Sequence, residues 1–261
     1  MGEVSTLEDS GATHPRSKRH GARVRISAAY AVVGGVVLVA LLLTSAGAAA
    51  TPVATVRTHT APYTGQANQA AFWSDQGCGT SFSVKKLPEF NLTAGTFVGS
   101  ELAKVATCGS AGSSLFGELE GSYATSAFKV SNGTYTVGAD WKIRDTIALA
   151  AASGGSGITA GSSAIVGAYA VLEDVTNGTS WEFGNASAYY GNSTAPTSHN
   201  YTYSLKFTAR FHMVAGHEYE IVTGVYAEVN VYVNGSKDTA SASLNLGTSG
   251  KKAILSSVEY P

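Results

Sequence analysis

The chain has 261 residues, with 17 Lys and Arg against 18 Asp and Glu, a net charge of −1. From Thr51 onward it carries 12 Lys and Arg against 15 Asp and Glu, which excludes the basic footprint that nucleic-acid binding needs. Aromatic and β-branched residues are plentiful, so the chain is not disordered, and the excess of Gly, Ser, Thr, Val and Tyr points away from a helical bundle.

Residues 1–25 are polar and read as a cytoplasmic, disordered leader. Ile26 to Ala50 carries no charge and is long enough to cross a bilayer as a helix, since about 20 residues suffice. Arg16, Lys18, Arg19, Arg23 and Arg25 precede it, whereas within ten residues only Arg57 follows. That bias places the N-terminus in the cytoplasm and the rest outside. The segment is expected to be a single-pass signal anchor at the cell membrane. The alternative is a secretory signal cut after Ala46-Gly47-Ala48 or Ala48-Ala49-Ala50.

Residues 51–71, rich in Thr, Ala and Pro, read as an extended stalk. The folded domain is expected over 72–261. Its cysteines, Cys78 and Cys108, are the only two in the chain. Outside the cytoplasm such a pair reads as one disulfide. Residues 99–106 read as one short helical turn, 150–163 as a low-complexity loop and 184–200 as a long polar loop.

Alternation of period two dominates the remainder. The odd positions of 135–149 and 201–213 are mostly apolar and the even ones mostly polar, the pattern of half-buried antiparallel strands. Asn132-Gly133, Asn177-Gly178 and Asn234-Gly235 are hairpin signals. Two-residue turns there would pair Val130 with Tyr135 and Phe128 with Val137. They would pair Leu172 with Phe183 and Asp174 with Trp181, and Val229 with Ala240, Ala227 with Ala242 and Val225 with Leu244. A three-residue loop at 215–217 would join Met213 to Tyr219. Residues 201–246 thus read as a three-stranded meander, closed by a strand over 254–260. The expected fold is all-β: an antiparallel β-sandwich, with a jelly roll as one form of it.

Seven of ten asparagines stand in Asn-x-Ser/Thr: Asn91, Asn132, Asn177, Asn185, Asn192, Asn200 and Asn234. All lie beyond the apolar segment, where N-glycosylation machinery would meet them.

No catalytic motif is found. His217-Glu218-Tyr219-Glu220-Ile221 lacks the second His of a zinc-protease helix. His212 and His217 flank a loop, but a metal site needs three or four ligands. Glu118/Glu120, Glu173/Asp174 and Glu218/Glu220 read as solvated charge, although glycosidases also use carboxylate pairs. No cofactor and no metal are expected. The most usable binding surface is the even face of 218–232, with Tyr226, Glu228, Asn230 and Tyr232 as candidates. Aromatic rings there could stack on sugars while polar groups bond the hydroxyls. Trp181, Phe183, Tyr189 and Tyr190 form a second, weaker patch. Three functions compete: a structural or adhesive surface protein contacting envelope glycans or copies of itself, a carbohydrate-binding module, and an envelope hydrolase.

Overall fold

The computed structural model describes residues 55–106, 112–154, 160–192, 196–235, 237–248 and 250–261. The leader, the apolar segment and Cys108 lie outside the described residues. Among the described residues no helix is long and apolar enough to cross a membrane.

The described chain is all-β, with thirteen strands in two antiparallel sheets. In chain order they are β1 (Arg57–His59), β2 (Gly65–Gln76), β3 (Thr80–Asn91), β4 (Thr96–Ala106), β5 (Ser113–Thr125), β6 (Phe128–Lys129) and β7 (Gly133–Ala152). There follow β8 (Ala160–Asp174), β9 (Thr179–Asn192), β10 (Thr197–Met213), β11 (Glu218–Val233), β12 (Thr239–Asn245) and β13 (Lys252–Tyr260).

The first sheet is built on β7. Its second half pairs with β12 and its first half with β13, so these two short strands run end to end as one broken ribbon. On the far side of that ribbon lie β4 and then β3, with β1 beside the tail of β13. The opposite edge of β7 carries β10 along its whole length. The second sheet runs β2-β5-β11-β8-β9, and β6 continues alongside β11 beyond the end of β5.

Odd residues of β5, β7 and β11 and even residues of β8 turn inward, and both sheets feed one core. Glycines make room where rings cross between layers. Phe82 and Phe97 from the first sheet lie against Gly117 and Gly121 of β5, and a Cβ at either glycine would run into the ring. One polar bridge spans the core. The buried Trp141 Nε1 donates to Thr223 Oγ1 (2.8 Å), which donates to the Tyr169 carbonyl (2.6 Å).

Several expectations are corrected. The Asn132-Gly133 and Asn234-Gly235 segments are not hairpins. Phe128 pairs with Tyr219, not Val137, and β7 lies in the other sheet. Likewise β11 and β12 are in different sheets, as are β10 and β11, so 201–246 is not a meander. Each of these links is a crossover, which apolar matching along the sequence cannot tell from a hairpin because both strands face the same core. The Asn177-Gly178 segment does join neighbours, but through four residues. Leu172 faces Trp181 and Asp174 faces Thr179. That two-residue shift keeps faces as expected near the turn, but a bulge at Ala170–Val171 offsets the rest of β9 by one residue.

Residues 99–106 are strand, not helix. Residues 184–192 and 197–200 are strand too, where a loop was expected. The supposed stalk supplies β1 and the first half of β2. Of the low-complexity loop, 150–152 belong to β7 and 160–163 to β8. The closing strand is present as β13.

Candidate functional site

The outer face of the second sheet collects the residues with chemistry. The central strand β11 presents Glu220, Val222, Gly224, Tyr226, Glu228, Asn230 and Tyr232, since its odd residues are buried. Register fixes what lies beside them. Across β5, Tyr226 faces Glu120, Glu228 faces Glu118, Asn230 faces Phe116 and Tyr232 faces Ser114. Across β8, Tyr226 faces Gly167, Glu228 faces Ile165, Asn230 faces Ser163 and Tyr232 faces Gly161. The four candidate residues are therefore on one face, in line, and at the centre of a sheet.

The glycines opposite the tyrosines give the face its form. A Cβ at Gly167 would meet the ring of Tyr226, one at Gly161 the ring of Tyr232, and one at Gly224 the ring of Tyr169. Each ring therefore lies down over a neighbouring strand where no side chain stands in its way. Tyr169 Oη donates to Glu120 Oε1 (2.7 Å) and Tyr226 Oη to Asn185 Oδ1 (3.3 Å), which fixes two of the rings. Tyr232 is 47% exposed. Phe72 of β2, also exposed, faces Glu118.

Glu118, Glu120 and Glu228 cluster at the centre of this face. Burial, then the charge of Glu228, then that of Glu120 push Glu118 up to about 8. Burial also raises Glu228. Beneath, on β4, Glu101 points into the core. It is 1% exposed and neither of its oxygens has a hydrogen-bond partner among the described residues. Burial, with the charges of Glu118 and Glu228, raises it to about 9. This inward carboxyl escaped the sequence reading, because an inward polar residue breaks the alternation that marks a strand.

Other candidates are dispersed. Asp174 is inward and buried, and takes the His217 ring at 2.7 Å together with the Asn177 backbone and side-chain amides. His217 thus closes the β8–β9 turn. His212 is exposed on β10. Among the described residues no three His, Cys, Asp or Glu side chains gather as a metal site. The second aromatic patch divides. Tyr189 stands exposed on the outer face, whereas Tyr190 stacks on Tyr201 and Phe183 meets Phe211 edge-on. Trp181 is 6.2 Å from Phe211, centroid to centroid.

The described sequon asparagines lie mostly at strand ends and connections. Asn91 ends β3, while Asn132, Asn177 and Asn234 sit between strands. Asn200 is on β10, where its Oδ1 accepts from Thr146 and Lys251. The Asn192 side chain lies outside the described residues.

No protein-family profile and no curated protein matches the chain. Among solved structures, one similar chain belongs to a study of the promiscuous specificity of carbohydrate-binding modules from the β-sandwich superfamily. It shares 8% identity at a TM-score of 0.21, over 71% of this chain and 56% of that one. Another is the family 11 carbohydrate-binding module of Clostridium thermocellum in complex with a β-1,3-1,4-mixed-linked tetrasaccharide. It shares 11% identity at a TM-score of 0.16, over 65% of this chain and 90% of that one. A third is the enzymatically active domain of tailspike protein 4 from bacteriophage CBA120. It shares 12% identity at a TM-score of 0.17, over 67% and 19%. The chain thus spans little more than half of the first of these. Likeness at this level carries no functional argument.

Proposed function

We propose that this chain is a jelly-roll module that binds neutral oligosaccharides on the outer face of its second sheet, outside a membrane. The observation that carries this is the row of tyrosine rings laid over glycines, with carboxylate and amide groups between them. Flat aromatic surface suits the apolar face of a pyranose, and Glu228, Asn230, Glu118 and Ser163 supply acceptors and donors for its hydroxyls. Tyr226 and Tyr232 are six residues apart on one strand, about 20 Å. A single sugar cannot touch both, so the fitting ligand is a chain lying along β11. The three central glutamates face no cation across the sheet, which disfavours acidic glycans.

The strand order supports the finer fold assignment. Four ribbons, β4, β12/β13, β7 and β10, face four others, β5, β11, β8 and β9. The chain alternates between them as two interlocked Greek keys do, with β2 and β3 added at one side. The uncharged 26–50 segment, the sequons and the cysteine pair support display beyond a membrane, with glycans on the surface and a Cys78–Cys108 disulfide. The Gly79 carbonyl accepts from the Ala106 backbone N–H, a pairing that lies next to Cys78 and two residues before Cys108 in sequence. The envelope contact or self-association of an adhesive role would then run through glycans rather than a bare sheet edge.

A glycan array with wild-type protein free of N-glycans and its Tyr226→Ala/Tyr232→Ala variant is the test. Binding of neutral oligosaccharides by wild type, reduced at least tenfold in the variant, is expected. No bound sugar, or equal binding by both, removes the reading.

A further inference from the structure

One of the seven sequons stands on the face just described. Asn185 is exposed on β9, two strands from β11, and its register partner on β8 is Tyr169. Tyr226 Oη donates to its Oδ1 at 3.3 Å. The hydroxyl residue of the same sequon, Ser187, faces Gly167, the glycine under the Tyr226 ring, and also hydrogen-bonds Tyr226. Both members of the sequon thus converge on one tyrosine. Among the sequon asparagines whose side chains are described, no other sits on the outer face of this sheet.

We infer that N-glycosylation at Asn185 masks the Tyr226 face, so that the modification sets whether this face is open to an external oligosaccharide. This rests on the glycan-binding reading above. The chemistry leaves the contact intact. The bond to Tyr226 uses the amide oxygen, whereas glycosylation uses the amide nitrogen. In the transfer, Nδ2 of Asn185 attacks the anomeric carbon of a sugar carried on a diphosphate donor. The bond from that carbon to the phosphate oxygen breaks, the diphosphate leaves with the electron pair, and one amide proton passes to a base of the transferase. The attached sugar starts within a side-chain length of Tyr226 and has the flat rings beside it. Bound there, it occupies the face at an effective concentration in the millimolar range that short tethers give. A free oligosaccharide then competes against a ligand that never diffuses away.

The other sequons whose asparagine side chains are described lack this consequence. A glycan at Asn91, Asn132, Asn177 or Asn234 leaves from a strand end or connection, and one at Asn200 leaves from the other sheet.

Three measurements test the inference on full-length protein from its native host: site occupancy, masking of the rings, and binding of neutral oligosaccharide. Mass spectrometry of peptides spanning 185–187 reads occupancy. Hydroxyl-radical footprinting of Tyr226 and Tyr232 reads masking, and needs no knowledge of the external ligand. The comparison is wild type against Asn185→Gln, with Ser187→Thr as the variant that keeps both sequon and hydroxyl. Occupied wild type and Ser187→Thr are expected to show at least threefold slower labelling of Tyr226 than Asn185→Gln, and at least tenfold weaker binding of neutral oligosaccharide. An unmodified Asn185, or equal labelling and equal binding by occupied and unoccupied forms, overturns it. Slower labelling with no sugar bound by any form, Asn185→Gln included, leaves the masking standing and removes the glycan-binding reading instead.

Discussion

At the scale of single residues, the buried carboxyls decide how this protein answers to pH. Glu101 keeps its proton until about pH 9 in the folded chain, against 4.5 for an exposed glutamate, because burial disfavours its charge. Between those values the folded state holds a proton that the unfolded state has released. Stability therefore falls as pH rises from about 4.5 to about 9, by at most about 1.4 kcal/mol per unit for this one group. Glu101→Gln removes the titration. Urea unfolding at several pH values is expected to show the variant gaining on wild type as pH rises from 5 to 9, and a constant difference across that range counts against the assignment. Glu118 acts at the surface instead. Below about pH 8 it retains its proton beside Glu228 and can donate a hydrogen bond. Above that it adds its own charge to the face. Oligosaccharide affinity is expected to drop as pH passes 8, and Glu118→Gln to flatten that drop. A titration series in which wild type and variant share one pH profile speaks against a role for Glu118.

At the scale of elements, the outer face of β11 was legible because its inward residues are mostly strong apolar markers. Tyr219, Ile221, Val225, Val229, Val231 and Val233 bury together with the smaller Ala227. Period two then puts Tyr226, Glu228, Asn230 and Tyr232 opposite. The same rule failed on β9, whose inward residues include Ala186 and Ala188, too small to stand out from serine and glycine. It failed on β4 because Glu101 occupies an inward position. It identified partners only for β8 and β9, since turn chemistry sets a local bend but not the sheet that the next strand joins. The glycines of β8 were also illegible as platform makers, because their role depends on register with β11. That role is testable. Gly167→Val adds a β-branched residue that strands favour, within about 1 kcal/mol, yet its side chain must lift the Tyr226 ring. Circular dichroism and melting are expected to stay near wild type while oligosaccharide binding weakens at least tenfold. Unchanged binding would mean that the flat ring is not used.

At the scale of the whole molecule, almost every contact joins distant parts of the chain, because successive strands keep changing sheets. Such a topology folds slowly and exposes unpaired edges while it does so. A covalent tie placed early in the chain would shorten that search. Cys78 stands where β2 of one sheet leads into β3 of the other, and its backbone N–H donates to Ser113 Oγ at the start of β5. A bond to Cys108 would close about 30 residues, containing β3 and β4, and so bind the corner where the chain enters the first sheet to the one where it leaves. In the loop-entropy account that contributes about 3.7 kcal/mol, equivalent to about 10 °C of melting temperature for a domain of this size. Non-reducing peptide mapping is expected to recover the two cysteines linked, and Cys78→Ser/Cys108→Ser to melt about 10 °C lower with its sheet content intact. Two freely alkylated thiols in the native protein would remove the tie. They would also remove the main reason, apart from the apolar segment and the sequons, for placing this sandwich in an oxidising compartment.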